Sequence, residues 1–295
     1  MVCEDFDEPG RASSDMGERL SNIIRLMEQS PIDELTTFLD IGIGDGQIAK
    51  WLAKKGKKVT GTGIEVDSYD MSSAELKKEY GIDVIECSAE HMQFDNNSFD
   101  GIVMSHVLEH CHNVGLALQE VRRVLSDEGY LFIILPSHCH YVFAGHVSVG
   151  WNVGQLMYVL LVNGYDVKNG QFIEYQGQVY GLVQKSLNPL PPLRGDSGDI
   201  SILAQNNLFP LPVITKDKRN DGYWGNIKAI NFSSSDDLLR MSVSPQDRYR
   251  LPKQLLLLLV KLLPRKIRYR IGRLFTWLGN TLTQMDFINP RALTD

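Results

Sequence analysis

The stretch from Thr37 to Gly56 narrows the choice of fold more than any other part of this chain. Thr37 to Ile43 is β-branched and apolar, as a buried strand requires. It runs into the turn Gly42-Ile43-Gly44-Asp45-Gly46 and then into a helix through Ile48, Trp51 and Leu52 that stops at Gly56. The unit then repeats. Lys58 to Ile64 reads as a strand, Ser72 to Tyr80 as a helix, Asp83 to Glu86 and Phe99 to Ser105 as strands, Val114 to Leu125 as a helix and Tyr130 to Leu135 as a strand. Alternation of this kind predicts an α/β fold, a doubly wound and mostly parallel sheet with helices on both faces.

The flanks extend the pattern. Met16 to Gln29 places Leu20, Ile23, Ile24 and Met27 at helical spacing, and Ser30-Pro31 ends that helix. Gly150 to Asn163 reads as another helix closed by Gly164. Two strand-like stretches follow, Val167 to Tyr175 and Gln178 to Lys185, with Gln176-Gly177 between them as a hairpin turn. The texture changes beyond Ser186, which places a boundary near residue 187. The organisation expected is an acidic head over 1–15, a nucleotide-type domain over 16–187, a Pro/Gly-rich irregular region over 188–247 and a basic helical tail over 248–295.

Of the 295 residues, 43% are hydrophobic and 22% charged, which excludes disorder and collagen-like repeats and leaves enough chain for one large core. The net charge of −6 creates no general field toward nucleic acid, so no nucleic-acid partner is expected. Cys3, Cys87, Cys111 and Cys139 show no CxxC spacing and read as reduced thiols of a cytoplasmic protein. The first residues carry Glu4, Asp5, Asp7 and Glu8 and lack the basic start and apolar stretch of a secretory signal. The longest apolar run, Leu255 to Val260, is far short of the roughly 20 residues that span a bilayer.

A glycine-rich turn between a strand and a helix lets backbone approach a ligand where a side chain would collide, beside the unpaired amides of the helix N-terminus. A dinucleotide fingerprint would need glycine at Gln47. Gly42, Gly44 and Gly46, preceded by Asp40, instead make GxGxG, which argues against NAD. Glu65 falls at the end of the second strand, where a carboxylate can accept both hydroxyl protons of a ribose, with Asp67 a rival. A tight turn with no ligand, and a solvated loop acid, are the plain alternatives.

Four blocks in order, LDIGIGDGQIAKWLAKKGKKVTG, SAEHMQFDNNSFDGIVMSHVLEH, LALQEVRRVLSDEGYLFIILP and LMYVLLVNGYDV, resemble the class I S-adenosylmethionine-dependent methyltransferases, in the group that includes quinone and glycan methyltransferases. The likeness covers about residues 16 to 186. It implies a seven-stranded Rossmann-like sheet with a reversed last strand, here followed by a C-terminal appendage with basic amphipathic helices. It also implies S-adenosyl-L-methionine as cofactor. Asp40, Gly42, Gly44 and Gly46 would hold its methionine part, Glu65 its ribose, and Ser88, Ala89 and Glu90 its adenine, while Ser105 and His106 would lie beside the sulfonium and the acceptor. Ser88 stands where many members have Asp, and Met92-Gln93 where a Leu-Pro pair is common.

A sulfonium methyl is already activated, so such an enzyme mainly aligns a nucleophile and keeps water out. An oxygen or nitrogen acceptor protonated at neutral pH also needs a general base, for which histidine is the natural choice. Six of the seven histidines, His106, His110, His112, His138, His140 and His146, lie in one stretch whose loops leave the carboxyl edge of the sheet. Three readings stay open for them: structural packing with His110 as a hydrogen-bonding residue; a base drawn from His106, His138, His140 or His146; and a metal site from His110-Cys111-His112 with His138-Cys139-His140. The last matches no standard zinc spacing, so no metal is expected. Tyr141, Phe143, Trp151 and Tyr158 offer aromatic surface for an acceptor wall or for the core. The activity expected is methyl transfer to oxygen or nitrogen of a small-molecule, glycan or lipid-linked acceptor. The alternatives are a non-catalytic S-adenosylmethionine-binding partner subunit and aminopropyl transfer from the decarboxylated cofactor.

From Arg248 to Met285 the tail carries nine cations and no acid, with leucines interleaved and Pro252 and Pro264 dividing it into two helices. Basic amphipathic helices suit an anionic membrane surface, here the inner one, and equally suit packing on the rest of the protein or on a second copy.

Overall fold

The computed structural model describes residues 12–65, 72–137, 145–211, 222, 227 and 229–232, leaving aside the side chains of 12–16 and 18. All of them belong to one compact unit, Asp7–Ser242. The basic tail, the acidic first residues and the loop carrying His138 to Phe143 lie outside the described residues.

Helix α1 (Ala12–Met27) precedes β1 (Thr37–Ile41), α2 (Gln47–Lys54), β2 (Lys58–Gly63), α3 (Ser73–Tyr80), β3 (Asp83–Glu86) and β4 (Phe99–Ser105). A single 3-10 turn, Leu108–His110, leads to α4 (Val114–Val124), β5 (Leu125–Pro136), α5 (Val153–Val162), β6 (Tyr165–Tyr175) and β7 (Gln178–Lys185). Helix α6 (Asp199–Gln205) and β8 (Ala229–Ile230) follow. The sheet order is β3-β2-β1-β4-β5-β7-β6-β8. β1 to β5 pair in parallel, and β7 runs antiparallel to both β5 and β6.

Alternation of side chains divides the strands between two cores. Leu39 and Ile41 of β1, Ile102 and Met104 of β4, and Leu131, Ile133 and Leu135 of β5 face the helices α4 and α5. Phe38, Val103, Phe132 and Ile134 face the other way, onto α1, α2 and α3. Each such side chain removed from water contributes about 1.5–3 kcal/mol, and a one-residue slip would turn every one of them to the wrong face. The hairpin between β6 and β7 closes at Gln176 (φ 47°) and Gly177 (φ 71°), the paired left-handed conformation of a type I′ turn.

The reversed strand is therefore β7, as expected, but the sheet has eight strands rather than seven. Ala229 and Ile230 pair with Ile173 and Phe172 on the outer side of β6. Two residues have no periodicity to read, and this strand exists only because β6 offers it an open edge. Residues 188–211 also fold back on the sheet: α6 buries Leu203 in the core, and Leu190, Leu193 and Leu208 pack beside it.

Candidate functional site

The strand order reverses between β1 and β4, since β1 leads outward to β2 while β4 and β5 continue on its other side. The chain departs to opposite sides there and leaves a crevice at the carboxyl ends. Ile41 is level with Thr62 on β2 and with Met104 on β4, so the glycine turn, residues 64 and 65, and residues 105 and 106 emerge side by side. Cys87 donates its amide to Gly63 at 3.0 Å, which brings Ser88 and Ala89 to the same edge.

The turn is left-handed at Gly42 (φ 70°), Gly44 (φ 53°) and Gly46 (φ 71°). A Cβ on Gly42 would stand 2.3 Å from Cγ2 of Val107, so the turn lies directly against the loop that follows β4. A side chain is thus excluded twice, by torsion and by space, which is the cradle that a ligand approached by backbone requires.

Asp40 is 2% exposed and does not line the crevice as an open carboxylate. It accepts the Ala49 amide, one of the orphan donors in the first turn of α2, and so acts as a cap reaching across from β1. Burial pushes its carboxyl up to about 8, the Ala49 hydrogen bond opposes this, and the nearby Asp45 charge adds to the rise. Asp45 in turn accepts from Gln47 Nε2 at 2.7 Å. Glu65 is exposed just past β2. Ser88 Oγ accepts the Glu90 amide at 3.1 Å, and Glu90 Oε1 accepts the Asn113 amide at 3.0 Å, so both side chains brace the loop in which Ala89 is buried.

On the acceptor side Ser105 closes β4 and His106 takes up a left-handed backbone (φ 55°). Its imidazole lies between two acceptors, Glu109 Oε1 at 3.1 Å from Nδ1 and Gln178 Oε1 at 3.4 Å from Nε2. Gln178 comes from the first residue of β7, brought to this edge because β7 runs against β5 with Pro136 level with Gln178. Tyr180 also donates to that Oε1, at 3.2 Å. Glu109 is fully buried. Its backbone carbonyl accepts the amides of Val147 and Ser148 at 2.7 and 3.1 Å, which ties the segment before α5, with His146, to the loop after β4.

Several buried polar atoms here have no hydrogen-bond partner among the described residues: Glu109 Oε2, Ser137 Oγ, Ser148 Oγ and Trp151 Nε1. Ser137 and Trp151 bridge to each other and Ser148 donates its amide to the Glu109 carbonyl, so these residues sit on neighbouring segments at the carboxyl edge. Buried groups of this kind are normally satisfied. The Trp151 ring itself packs in the core cluster.

The three readings of the histidine stretch separate. His106 and His146 are brought to this edge, His110 donates to Gly145 O at 2.9 Å, His112 is exposed, and His138 and His140 lie outside the described residues. Cys111 is buried with its Sγ 3.5 Å from Val107 O, and burial, with the Glu90 and Glu109 charges, pushes its thiol up to about 11. Glu109 and Gln178 escape sequence reasoning. The first was legible only as the middle of Leu-Glu-His. The second carries no local signal, because it reaches His106 solely through the reversal of β7.

With this geometry in view, residues 39–133 match the family described as "Methyltransferase domain". Over 125 residues, 40% of this chain, the sequence is 31% identical to N-methyltransferase 4 of Papaver somniferum and covers 35% of it. Over 159 residues, 52% of this chain, it is 24% identical to the ubiquinone/menaquinone biosynthesis C-methyltransferase UbiE of Bartonella tribocorum and covers 57% of it. The match therefore spans well under two thirds of either curated relative. The PH0226 protein of Pyrococcus horikoshii shares the fold with a TM-score of 0.50 and 15% identity, over 58% of this chain and 91% of that one.

Proposed function

From the membership of this chain in the class I S-adenosylmethionine-dependent methyltransferases, carried by residues 39–133, we propose that it transfers a methyl group from S-adenosyl-L-methionine to an oxygen or nitrogen of a small-molecule, glycan or lipid-linked acceptor. The observation that carries this reading is the triple left-handed turn at Gly42, Gly44 and Gly46, set against Val107 at the β1/β4 switch point. Bound there, the cofactor supplies a methyl group already activated by its sulfonium. The residues of the chain then have three tasks.

The turn and the first amides of α2 hold the methionine end, with Asp40 fixing the turn from beneath through Ala49 rather than touching the ligand. In this reading Glu65, past β2, takes the ribose hydroxyls, and the backbone about Ser88 and Ala89, brought to the same edge, takes the adenine. Positioning of this kind lowers the barrier by bringing the methyl carbon and the nucleophile into line. His106 takes the acceptor's proton. Glu109 holds the proton of the neutral ring on Nδ1, Nε2 is left as the basic atom, and Gln178 Oε1 accepts the proton that arrives there. His146 lies on the same side, and His138, outside the described residues, belongs to the same proposal. In this reading the hydroxyls of Ser137 and Ser148 and the Trp151 N–H, without partners among the described residues, are donors for a polar acceptor.

Calorimetry of the full chain with S-adenosylmethionine and its demethylated product, followed by a labelled-methyl screen of cell extract split into lipid, glycan and protein fractions, tests the proposal. Saturable binding and label in one fraction are expected. Binding with no labelled acceptor in any fraction would turn the reading to a partner subunit, and no binding would end both.

A further inference from the structure

Glu109, His110 and His146 each offer one ligating atom, and these atoms lie within 4.8 Å of one another. We propose that they hold a divalent transition-metal ion, zinc or a first-row neighbour, in a two-histidine, one-carboxylate site that goes beyond the methyl-transfer reading.

The carboxylate is the starting point. Glu109 is 0% exposed. One oxygen, Oε1, is engaged by His106, while the other, Oε2, is buried with no partner among the described residues. A carboxylate oxygen out of water with nothing to accept from is a costly feature, and a cation is the partner that offsets it most fully.

The two histidines are presented in the manner of ligands. His110 Nδ1 is 2.9 Å from the Gly145 carbonyl. A carbonyl only accepts, so the proton sits on Nδ1 and the lone pair on Nε2, with the ring orientation fixed by a backbone group behind it, as in the outer shell of most metal-bound histidines. The His110 and His146 rings stand 4.9 Å apart between centroids with planes 77° to each other. Two imidazoles bound about 2.1 Å from one tetrahedral ion place their centroids about 5 Å apart. Residues 109 and 146, distant in sequence, are locked together by the amides of Val147 and Ser148 on the Glu109 carbonyl.

The burial gradient gives an entry path. Glu109 is inside, His146 half-buried and His110 exposed, so an ion arrives from solvent, meets the outer imidazole first and draws the set together by about an ångström to bonding distance. Three protein ligands leave a fourth position for water or for an acceptor heteroatom. Glu109 joins that ion to His106 through its two oxygens.

The test uses the full chain without an affinity tag of histidines, stripped with chelator and titrated with Co²⁺ alone, reading the visible ligand-field bands, followed by displacement with Zn²⁺ and elemental analysis after gel filtration. One equivalent of either ion per chain is expected, with Zn²⁺ raising the melting temperature. His110→Ala and His146→Ala should weaken Co²⁺ binding about 100-fold or more, and exposed His112→Ala should leave it unchanged. His110 is at the surface, so that variant folds even if changes at buried Glu109 do not. Absence of stoichiometric binding, or equal binding by the His110 and His146 variants, overturns the site. Calorimetry with S-adenosylmethionine on the same stripped samples separates this failure from any failure of the cofactor site.

Discussion

At the amino edge of the sheet, where β4 and β5 begin, Arg123 donates to both oxygens of Glu120 at 2.8 and 2.9 Å and to the carbonyls of Phe94 and Met92. Arg122 holds the carbonyls of Gly164 and Ser186, and Lys185, 8% exposed, reaches Asn97, Leu125 O and Asp127. A crevice of about 560 Å³ opens among these residues, yet these three cations are all spent on loops of the same chain. The carboxyl edge is the reverse. Its buried Glu109 Oε2, Ser137 Oγ, Ser148 Oγ and Trp151 Nε1 lack partners among the described residues. Cavity size alone would select the first region for ligand binding. Hydrogen-bond satisfaction selects the second, because unpaired buried groups lower stability and persist where something else completes them.

The contrast breaks if a change at one edge produces the consequence reserved for the other. His106→Gln should have the largest effect: turnover falls by about 10²–10⁴-fold in the labelled-methyl assay while the melting temperature holds. An unchanged rate would remove the proton-accepting role. Arg123→Ala leaves two carbonyls and a carboxylate short of a donor and should cost about 2–4 kcal/mol in urea denaturation, with cofactor affinity of the folded fraction unchanged. A specific loss of affinity would show that the amino edge is more than structural. Gly42→Ala, which sets a methyl group against Val107 at a positive φ, should weaken S-adenosylmethionine binding about tenfold in calorimetry with a smaller loss of stability.

The sheet was legible because its strands alternate in sequence as they do in space: Leu39, Ile102 and Ile133 on one face answer Phe38, Val103 and Phe132 on the other. The glycine turn was legible for a related reason, since Gly42, Gly44 and Gly46 report a left-handed backbone that residues with a side chain rarely adopt. Asp40 was expected to hold the methionine part of the cofactor, whereas its hydrogen bond runs to the helix beneath the turn, a matter of burial that spacing alone does not state. The acceptor side was legible only as a density of histidines. Which of them meet Glu109 and Gln178 depends on the left-handed backbone of His106 and on a reversed strand 72 residues away, both tertiary in origin. The two-residue β8 left no trace for the same reason.

Asp40 and Asp100 turn the comparison into a pH experiment, since they stand near opposite ends of the β1/β4 pair and shift in opposite directions. Burial works to raise the Asp100 carboxyl, but the amides of Thr37 and Thr36 and the Thr37 hydroxyl outweigh it and hold the group below its usual range. The unfolded chain then binds the extra proton at low pH, so Asp100 contributes stability that is present above the ordinary carboxylate range and is lost as pH falls through the lower folded value. Asp40, raised to about 8, keeps its proton when folded and gives it up when unfolded across the range from about 4 to 8, so stability falls as pH rises through that window and levels off above it. Between pH 6 and 7 this amounts to about 1 kcal/mol, the smallest of the expected effects and the one most specific to the carboxyl edge. Asp40→Asn retains an oxygen for the Ala49 amide and carries no charge, so its urea midpoint should be flat from pH 6 to 7 where the parent declines. Asp100→Asn should keep that decline and instead lose the protection that the parent shows above pH 4. If Asp40→Asn declines as steeply as the parent, the buried carboxyl is already ionised in the folded chain and the decline comes from another group.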